Sequence, residues 1–246
     1  MKKLFFAATL FLILAASNIK AQDNFELQMK VYANALKYYD LPVATTALYN
    51  AMALKPDRKD LRDSLALIYF ASERYGQSYT IGEEILKDNP NRNDMLELVA
   101  VSKQSLGMVK EALADYEKLY AVQKQGFYLY QIATLQYQLK RYGECVASLD
   151  QIIADEGSKK QTVNIRNANG TNQSVPMVAA AYNVKGIVAM DLNQEAGAKD
   201  LFTRAVSEFP DFTLAKSNLA QLEQRAVKPA GAPAAKPAPS AAAPKK

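Results

Sequence analysis

Cys145 is the one thiol in a chain of 246 residues that holds no histidine and no tryptophan. Without histidine there is no Ser-His-Asp or Cys-His relay and no imidazole ligand for a metal. A single cysteine forms neither a disulfide within the chain nor a multi-thiolate zinc site. Carboxylate pairs stand at Glu83-Glu84 and Asp155-Glu156, the residue type general acid–base chemistry needs. On helices, however, neighbouring acids ordinarily form a solvated face. No glycine-rich phosphate loop accompanies them. The expectation is a protein that is not an enzyme, with no cofactor and no metal. What remains is binding chemistry, carried by 14 Tyr and 9 Phe. Tyr130 and Tyr137 lie seven apart, so they point the same way on a helix. Tyrosine joins a large contact area to a polar tip and is enriched where binding energy concentrates.

Hydrophobic residues at 49% and charged residues at 22% are ordinary for a globular chain. The net charge of +5 belongs to the ends. Three lysines lie in 1–21 and four in 226–246, with no acid in either; setting them aside leaves 23 basic residues against 25 acidic ones. A uniformly basic nucleic-acid-binding body is therefore not expected. At the N-terminus, Lys2 and Lys3 precede the apolar run Leu4–Ala16, interrupted by Thr9, and a polar stretch ends at Ala21. This order predicts a secretory signal peptide over 1–21, too short in its apolar part to span a bilayer, which takes about 20 residues. No cysteine follows it for lipid attachment. The mature chain is expected to be exported, with no transmembrane segment, into the periplasm of a Gram-negative bacterium.

Between the ends the sequence repeats. Pro56 and Pro90 are 34 apart. The small residues Ala66, Ala100, Ala133 and Gly186 are separated by 34, 33 and 53, and Ala44, Ser78, Ala112, Cys145 and Ala198 by 34, 34, 33 and 53. Two independent series thus agree on one period and on an insertion of 19 residues. In detail the units read Leu65-Ala66-x2-Tyr69 with Ser78-x3-Gly82 and Pro90, then Val99-Ala100 with Ala112-x3-Tyr116. Next come Ile132-Ala133 with Cys145-x3-Leu149, and Lys185-Gly186 with Ala198-x3-Phe202 and Pro210. The first unit is weaker, with Tyr32 where a small residue belongs. This pattern resembles the tetratricopeptide repeat.

The resemblance implies an all-α, right-handed superhelical solenoid of about five helix pairs, over about 25–58, 59–92, 93–125, 126–156 and 177–210 within 22–225. Small residues sit where paired helices cross, and stacking makes one continuous core that no unit forms alone. Cys145 then reads as a buried crossing-point residue. Ala215, Leu219 and Leu222 share one stripe of a helix over 213–225 whose other face is polar, as the closing helix of such a stack requires. The insertion, 157–176, alternates over Thr162–Arg166, carries the turn signal Asn169-Gly170 and resumes at Gln173–Val175, which predicts a short β-hairpin between the fourth and fifth repeats. Its role reads equally as a docking edge and as a tolerated insertion. The tail 226–246 holds 9 Ala, 5 Pro and 4 Lys. It is expected to be disordered and extended, with at most weak, salt-sensitive contact with anionic envelope polymers.

In this family the first helix of each unit lines a concave groove that takes a peptide or a helix of a partner protein. Carried onto this chain, the groove-facing pattern falls on Asp63, Leu67 and Phe70, on Glu97, Val101 and Gln104, on Phe127, Tyr130, Thr134 and Tyr137, and on Asn183, Ile187 and Met190. Asp60, Asp63, Asp94 and Glu97 suggest an acidic rim. The lysine–asparagine clamp with which some relatives hold a peptide carboxylate is absent, since Met29 and Ala33 stand at two of its places. The function expected is a non-enzymatic adapter of the cell envelope, with a protein or peptide partner and no nucleic acid. A component of an outer-membrane assembly or secretion machine and a glycan-binding protein are the alternatives.

Overall fold

The computed structural model describes residues 24–167 and 170–227. The segment 1–21 expected to be an export signal, the tail from 228 onward and Asn169 of the expected turn lie outside them. The described residues fall into two compact units that meet between Lys140 and Arg141, inside the fourth repeat.

The first unit is seven helices: α1 over residues 24–37, then α2 (Leu41–Leu54), α3 (Asp60–Ala71), α4 (Tyr75–Asp88), α5 (Asn93–Ser105), α6 (Val109–Gln123) and α7 (Gly126–Gln138). Successive helices pack on one another. The small residues set how closely they approach. Ala44, Ala66, Ser78, Ala100, Ala112 and Ala133 are all fully buried. Ser78 Oγ donates to the Ala66 carbonyl at 3.0 Å, which satisfies the buried hydroxyl at the crossing. A side chain on Gly82 would stand 2.5 Å from Val99 Cγ2. Around these contacts Leu48, Leu61 and Leu65 form one apolar cluster, and Tyr116, Leu119, Tyr128 and Leu135 form another.

One backbone device ends the first helix of every pair. Tyr39, Glu73, Gly107, Lys140 and Asn193 all have positive φ, between 56° and 74°. Their spacing of 34, 34, 33 and 53 is that of the repeat. The residue that follows reaches back to the last helical turn: Asp40 N to Ala35 O, Arg74 N to Tyr69 O, Met108 N to Lys103 O and Gln194 N to Ala189 O, at 2.8–2.9 Å. These bonds take up carbonyls a helix end leaves open. They reverse the chain without a side-chain cap at Arg74, Met108, Arg141 or Gln194.

The second unit holds α8 (Tyr142–Ala154), a 3₁₀ turn at Ser158–Lys160, strands β1 (Thr162–Arg166) and β2 (Asn172–Pro176), and helices α9 (Met177–Asp191), α10 (Glu195–Glu208) and α11 (Thr213–Val227). The hairpin is antiparallel, with Val163 opposite Val175, and both are buried. Gly170 takes the positive-φ position and donates to Asn167 O at 2.9 Å. Pro176 precedes α9 as its N-cap rather than opening the helix. The hairpin is anchored within its own unit: Gln173 Nε2 donates to Asp211 O at 2.6 Å and Thr213 N donates to Gln173 Oε1 at 3.2 Å. α10 packs on α9 so tightly that a Cβ on Gly186 would stand 2.5 Å from the Phe202 ring. α11 buries Ala215 and Leu222 and leaves Lys216, Gln221, Glu223 and Gln224 exposed.

Candidate partner-binding face

Three first helices of the repeats, α3, α5 and α7, each present residues at i, i+4 and i+7, which share one side of a helix. On α3 these are Asp63, Leu67 and Phe70; on α5, Glu97, Val101 and Gln104; on α7, Tyr130, Thr134 and Tyr137. Leu67 is 52% exposed. Phe70, Val101, Gln104, Phe127, Thr134 and Tyr137 are half-buried. The Phe70 ring meets Tyr75 edge-on at 5.8 Å, and Phe127 meets Tyr128 at 5.6 Å. Both rings are thus held in place by neighbours rather than left to swing.

The amides on this face are preorganised. Tyr116 Oη donates to Gln104 Oε1 at 3.0 Å, and Gln104 Nε2 donates to Gln131 Oε1 at 3.2 Å. Gln131 was not among the expected residues. Its signal was available, since it lies one residue beyond Tyr130 and three before Thr134, beside the face. Thr134 Oγ1 bonds inward to Gln131 O at 2.8 Å.

The acids of the expected rim are engaged by neighbours. Asp60 is bridged by Arg58 at 2.7 Å, Asp94 by Arg92 at 2.6 Å and Asp63 by Arg92 at 2.9 Å. Glu97 accepts from Tyr128 Oη at 2.8 Å. The hydrogen bond from Arg58 holds Asp60 below the usual carboxylate range, and that from Arg92 does the same for Asp94. Burial, with the bond to Glu97, pushes the Tyr128 phenol up to about 12. Two guanidiniums, Arg58 and Arg92, serve three of these four carboxylates and a neutral phenol serves the fourth, so the rim is tied in place and keeps a net negative charge.

Tyr130 and Asn183 stand apart from the rest. Tyr130 is buried, 8% exposed, so it offers a partner little surface. Asn183, 2% exposed, accepts from Asn218 Nδ2 at 2.9 Å, which ties α9 to α11. Ile187 and Met190 pack against the cluster that contains Leu222 of α11. In the second unit the closing helix thus covers the side of α9 that the repeat pattern had assigned to a groove. A sequence pattern carried from one repeat to the next does not see that the last repeat has a different neighbour.

No cluster of three or more metal-ligating side chains exists among the described residues. Cys145 is buried, and burial pushes its thiol up to about 11, away from the thiolate that reactivity needs. No helix among the described residues is long and apolar enough to cross a membrane.

Comparison of the sequence with protein-family models and with curated proteins finds no match. Solved structures do match. A tetratricopeptide repeat protein from Parabacteroides merdae superposes with a TM-score of 0.63 at 19% identity, over 82% of this chain and 73% of that one. YrrB, described as a TPR protein with an unusual peptide-binding site, gives 0.59 at 13% identity, over 77% and 89%. MamA from Desulfovibrio magneticus gives 0.59 at 11% identity, over 78% and 98%. The chain has the tetratricopeptide-repeat fold. The left-handed turns, the small-residue crossings and the closing helix α11 are this fold's means of joining, packing and ending helix pairs. The anchored hairpin after α8 is an addition within it.

Proposed function

We propose that this chain is a non-enzymatic interaction scaffold of the bacterial cell envelope, and that it receives an apolar segment of a partner protein on the face of α3, α5 and α7. The observation that carries this is Leu67. It is 52% exposed on the side of α3 that also bears Phe70, while α5 brings Val101 and Gln104, and α7 brings Gln131, the amide partner of Gln104. Apolar side chains supply contact area, and oriented amides satisfy polar groups of a bound segment, the division of labour that protein interfaces use. An amphipathic helix suits such a surface, with an extended peptide as the next fit. The peptide-binding site described for YrrB supports a peptide as the class of ligand. The export-signal pattern of 1–21 supports an envelope location, and the absence of histidine from the chain supports a role without catalysis.

The test is affinity capture from a Gram-negative envelope with crosslinking and mass spectrometry. The wild-type chain is compared with Leu67→Asp, which places a charge on the exposed side of α3 without touching the buried crossings. A defined partner crosslinked to α3 and α5, and lost in the variant, is the expected result. Equal capture by both proteins overturns the assignment of the face.

A further inference from the structure

A second concave feature lies on another side of α3, wholly within the first unit. Tyr49 and Met52 of α2, Leu65 and Tyr69 of α3, and Ile81 and Glu84 of α4 border a cleft of about 580 Å³, within the usual size range of ligand sites. Its floor is apolar: Leu65 and Tyr69 are buried. The Arg74 guanidinium covers the Tyr69 ring, 4.7 Å from its centre. The aromatic face left open is that of the half-exposed Tyr49. Gly76, which also lines the cleft, keeps its mouth clear, since a Cβ there would meet nothing within 4 Å.

One repeat later the same place is filled. Tyr49 and Tyr69 correspond to Glu83 and Lys103, Gly76 to Lys110, and Ile81 to Asp115, each 34 residues on. There the chain lays its own lysine stem between the helices, with the ammonium 2.7 Å from Glu83 and 2.6 Å from Asp115. The first cleft has no such internal occupant. Instead α4 lines it with Gln77 and Glu84, seven residues and so about 10 Å apart on one side of the helix. Neither side chain has a partner among the described residues. The hydroxyls of Tyr49 and Tyr69 are 2.9 Å apart; one donates to the other, and the second proton is left for a ligand. That bond, with burial, pushes the Tyr49 phenol up to about 12, so the proton stays in place.

The charges around the cleft come in both signs. Arg62, which lines it, is bridged by Asp88 at 2.5 Å, and Asp88 also takes the exposed Lys59 at 3.2 Å. Arg74 and Glu84 act on the Tyr49 phenol in opposite directions. An anion meets Glu84 and Asp88, and a cation meets Arg62 and Arg74, so the site favours a ligand without charge. We propose that the cleft binds an uncharged pyranose unit of a saccharide. A sugar ring has an apolar C–H face, which lies on the open Tyr49 ring beside Met52. Its hydroxyls both donate and accept. They donate to the Glu84 carboxylate, do both with the Gln77 amide, and accept from the tyrosine pair. A free oligosaccharide and a unit within a polysaccharide share this chemistry. The site is separate from the α3–α5–α7 face and does not depend on the function proposed for it.

The test is an amide-shift titration of the full, isotopically labelled chain. The free probes are maltotriose, laminaritriose and mannotriose; pullulan, laminarin and mannan are the matching polymers. Trigalacturonic acid and triglucosamine are the anionic and cationic controls. The expected result is a saturable shift of the Tyr49, Gly76, Gln77 and Thr80 amides with a neutral sugar, and a weaker response to both charged trimers. A response to the trisaccharide alone identifies a free sugar as the source, and one to the polymer as well identifies a glycan chain. Tyr49→Ala should weaken binding about tenfold, whereas Tyr49→Phe, which keeps the ring, should retain most of it. Gly76→Leu, which fills the cleft, should abolish the shifts. Gly143→Leu, the matching change at an equally open glycine of α8, should not. The proposal is overturned if no neutral sugar moves these amides or if a charged trimer binds as tightly. It is also overturned if Tyr49→Ala and Gly76→Leu leave the affinity unchanged.

Discussion

Lys103 Nζ lies 2.6 Å from Asp115 Oδ2, across the turn from α5 to α6, with the two side chains only 9% and 5% exposed. Glu83 from α4 closes on the same ammonium at 2.7 Å, the Tyr79 ring stands 5.5 Å away, and Lys118 reaches the other carboxylate oxygen at 3.0 Å. Burial opposes the charge on Lys103, but its hydrogen bonds to Asp115 and Glu83 prevail and hold its pKa above the ordinary lysine value. A group whose folded pKa is raised stabilises the fold below its unfolded pKa and loses that contribution as pH rises through the folded one. The charge on Lys103 therefore contributes fully below the ordinary lysine range, and its contribution is lost on the alkaline side. Three consecutive helices converge on it, so it fixes their register as well as their charge.

Removing one partner of a buried pair leaves the other sealed without compensation, at about 3–5 kcal/mol. Lys103→Met is expected near the lower end of that range, because Lys118 still reaches Asp115. Lys103→Met with Asp115→Leu is expected to recover most of the loss, since apolar groups of similar volume replace both charges. Urea unfolding of the two variants reads this directly. A Lys103→Met protein as stable as wild type would show that the pair contributes nothing.

Cys145 gives a pH dependence of known sign. Its thiol is fully buried, and its pKa is pushed up to about 11 from an ordinary value near 9. The native protein should resist thiol reagents at pH 8 and react promptly in urea. Because the folded pKa is the higher, the protonated thiol's contribution is complete below pH 9 and is lost as pH rises from about 9 to 11. The midpoint of urea unfolding should fall more steeply across that window in wild type than in Cys145→Ala. Parallel curves would mean that the buried thiol has no part in the alkaline loss.

The repeat was legible because two helices cannot cross closely over anything but small residues. Ala66, Ala100, Ala133 and Gly186 therefore carry the period in their identities. The hairpin was legible because alternation and a turn glycine are local. The face of α3, α5 and α7 followed from the period alone, but how open each residue is did not. Tyr130 shares a register with Asp63 and Glu97 and is nevertheless buried. Asn183 shares it too and is engaged by Asn218. Burial depends on what lies opposite, and the sequence of one helix does not state its neighbour. The partners of the rim acids were hidden for the same reason. Asp63 is bridged by Arg92, which stands 29 residues on at the start of α5 and is shared with Asp94.

The left-handed turns are the feature that composition conceals most. Five equivalent positions adopt positive φ, yet only Gly107 is a glycine; the others are Tyr39, Glu73, Lys140 and Asn193. An L residue with a bulky side chain in that conformation costs about 1–2 kcal/mol, whereas glycine adopts it freely and loses more chain entropy on folding, by roughly 0.5–1 kcal/mol. Because the first term exceeds the second, Glu73→Gly and Lys140→Gly should each stabilise the protein, by up to about 1 kcal/mol. Asn193→Gly should give less, since asparagine tolerates the left-handed region better. Gly107→Ala should destabilise by about 1 kcal/mol, although an added Cβ there meets nothing within 4 Å. Space and backbone conformation thus make opposite predictions at Gly107, and thermal unfolding of the four variants separates them. If Gly107→Ala unfolds at or above the wild-type temperature while Glu73→Gly brings no gain, the turns carry no strain and some other contact reverses the chain.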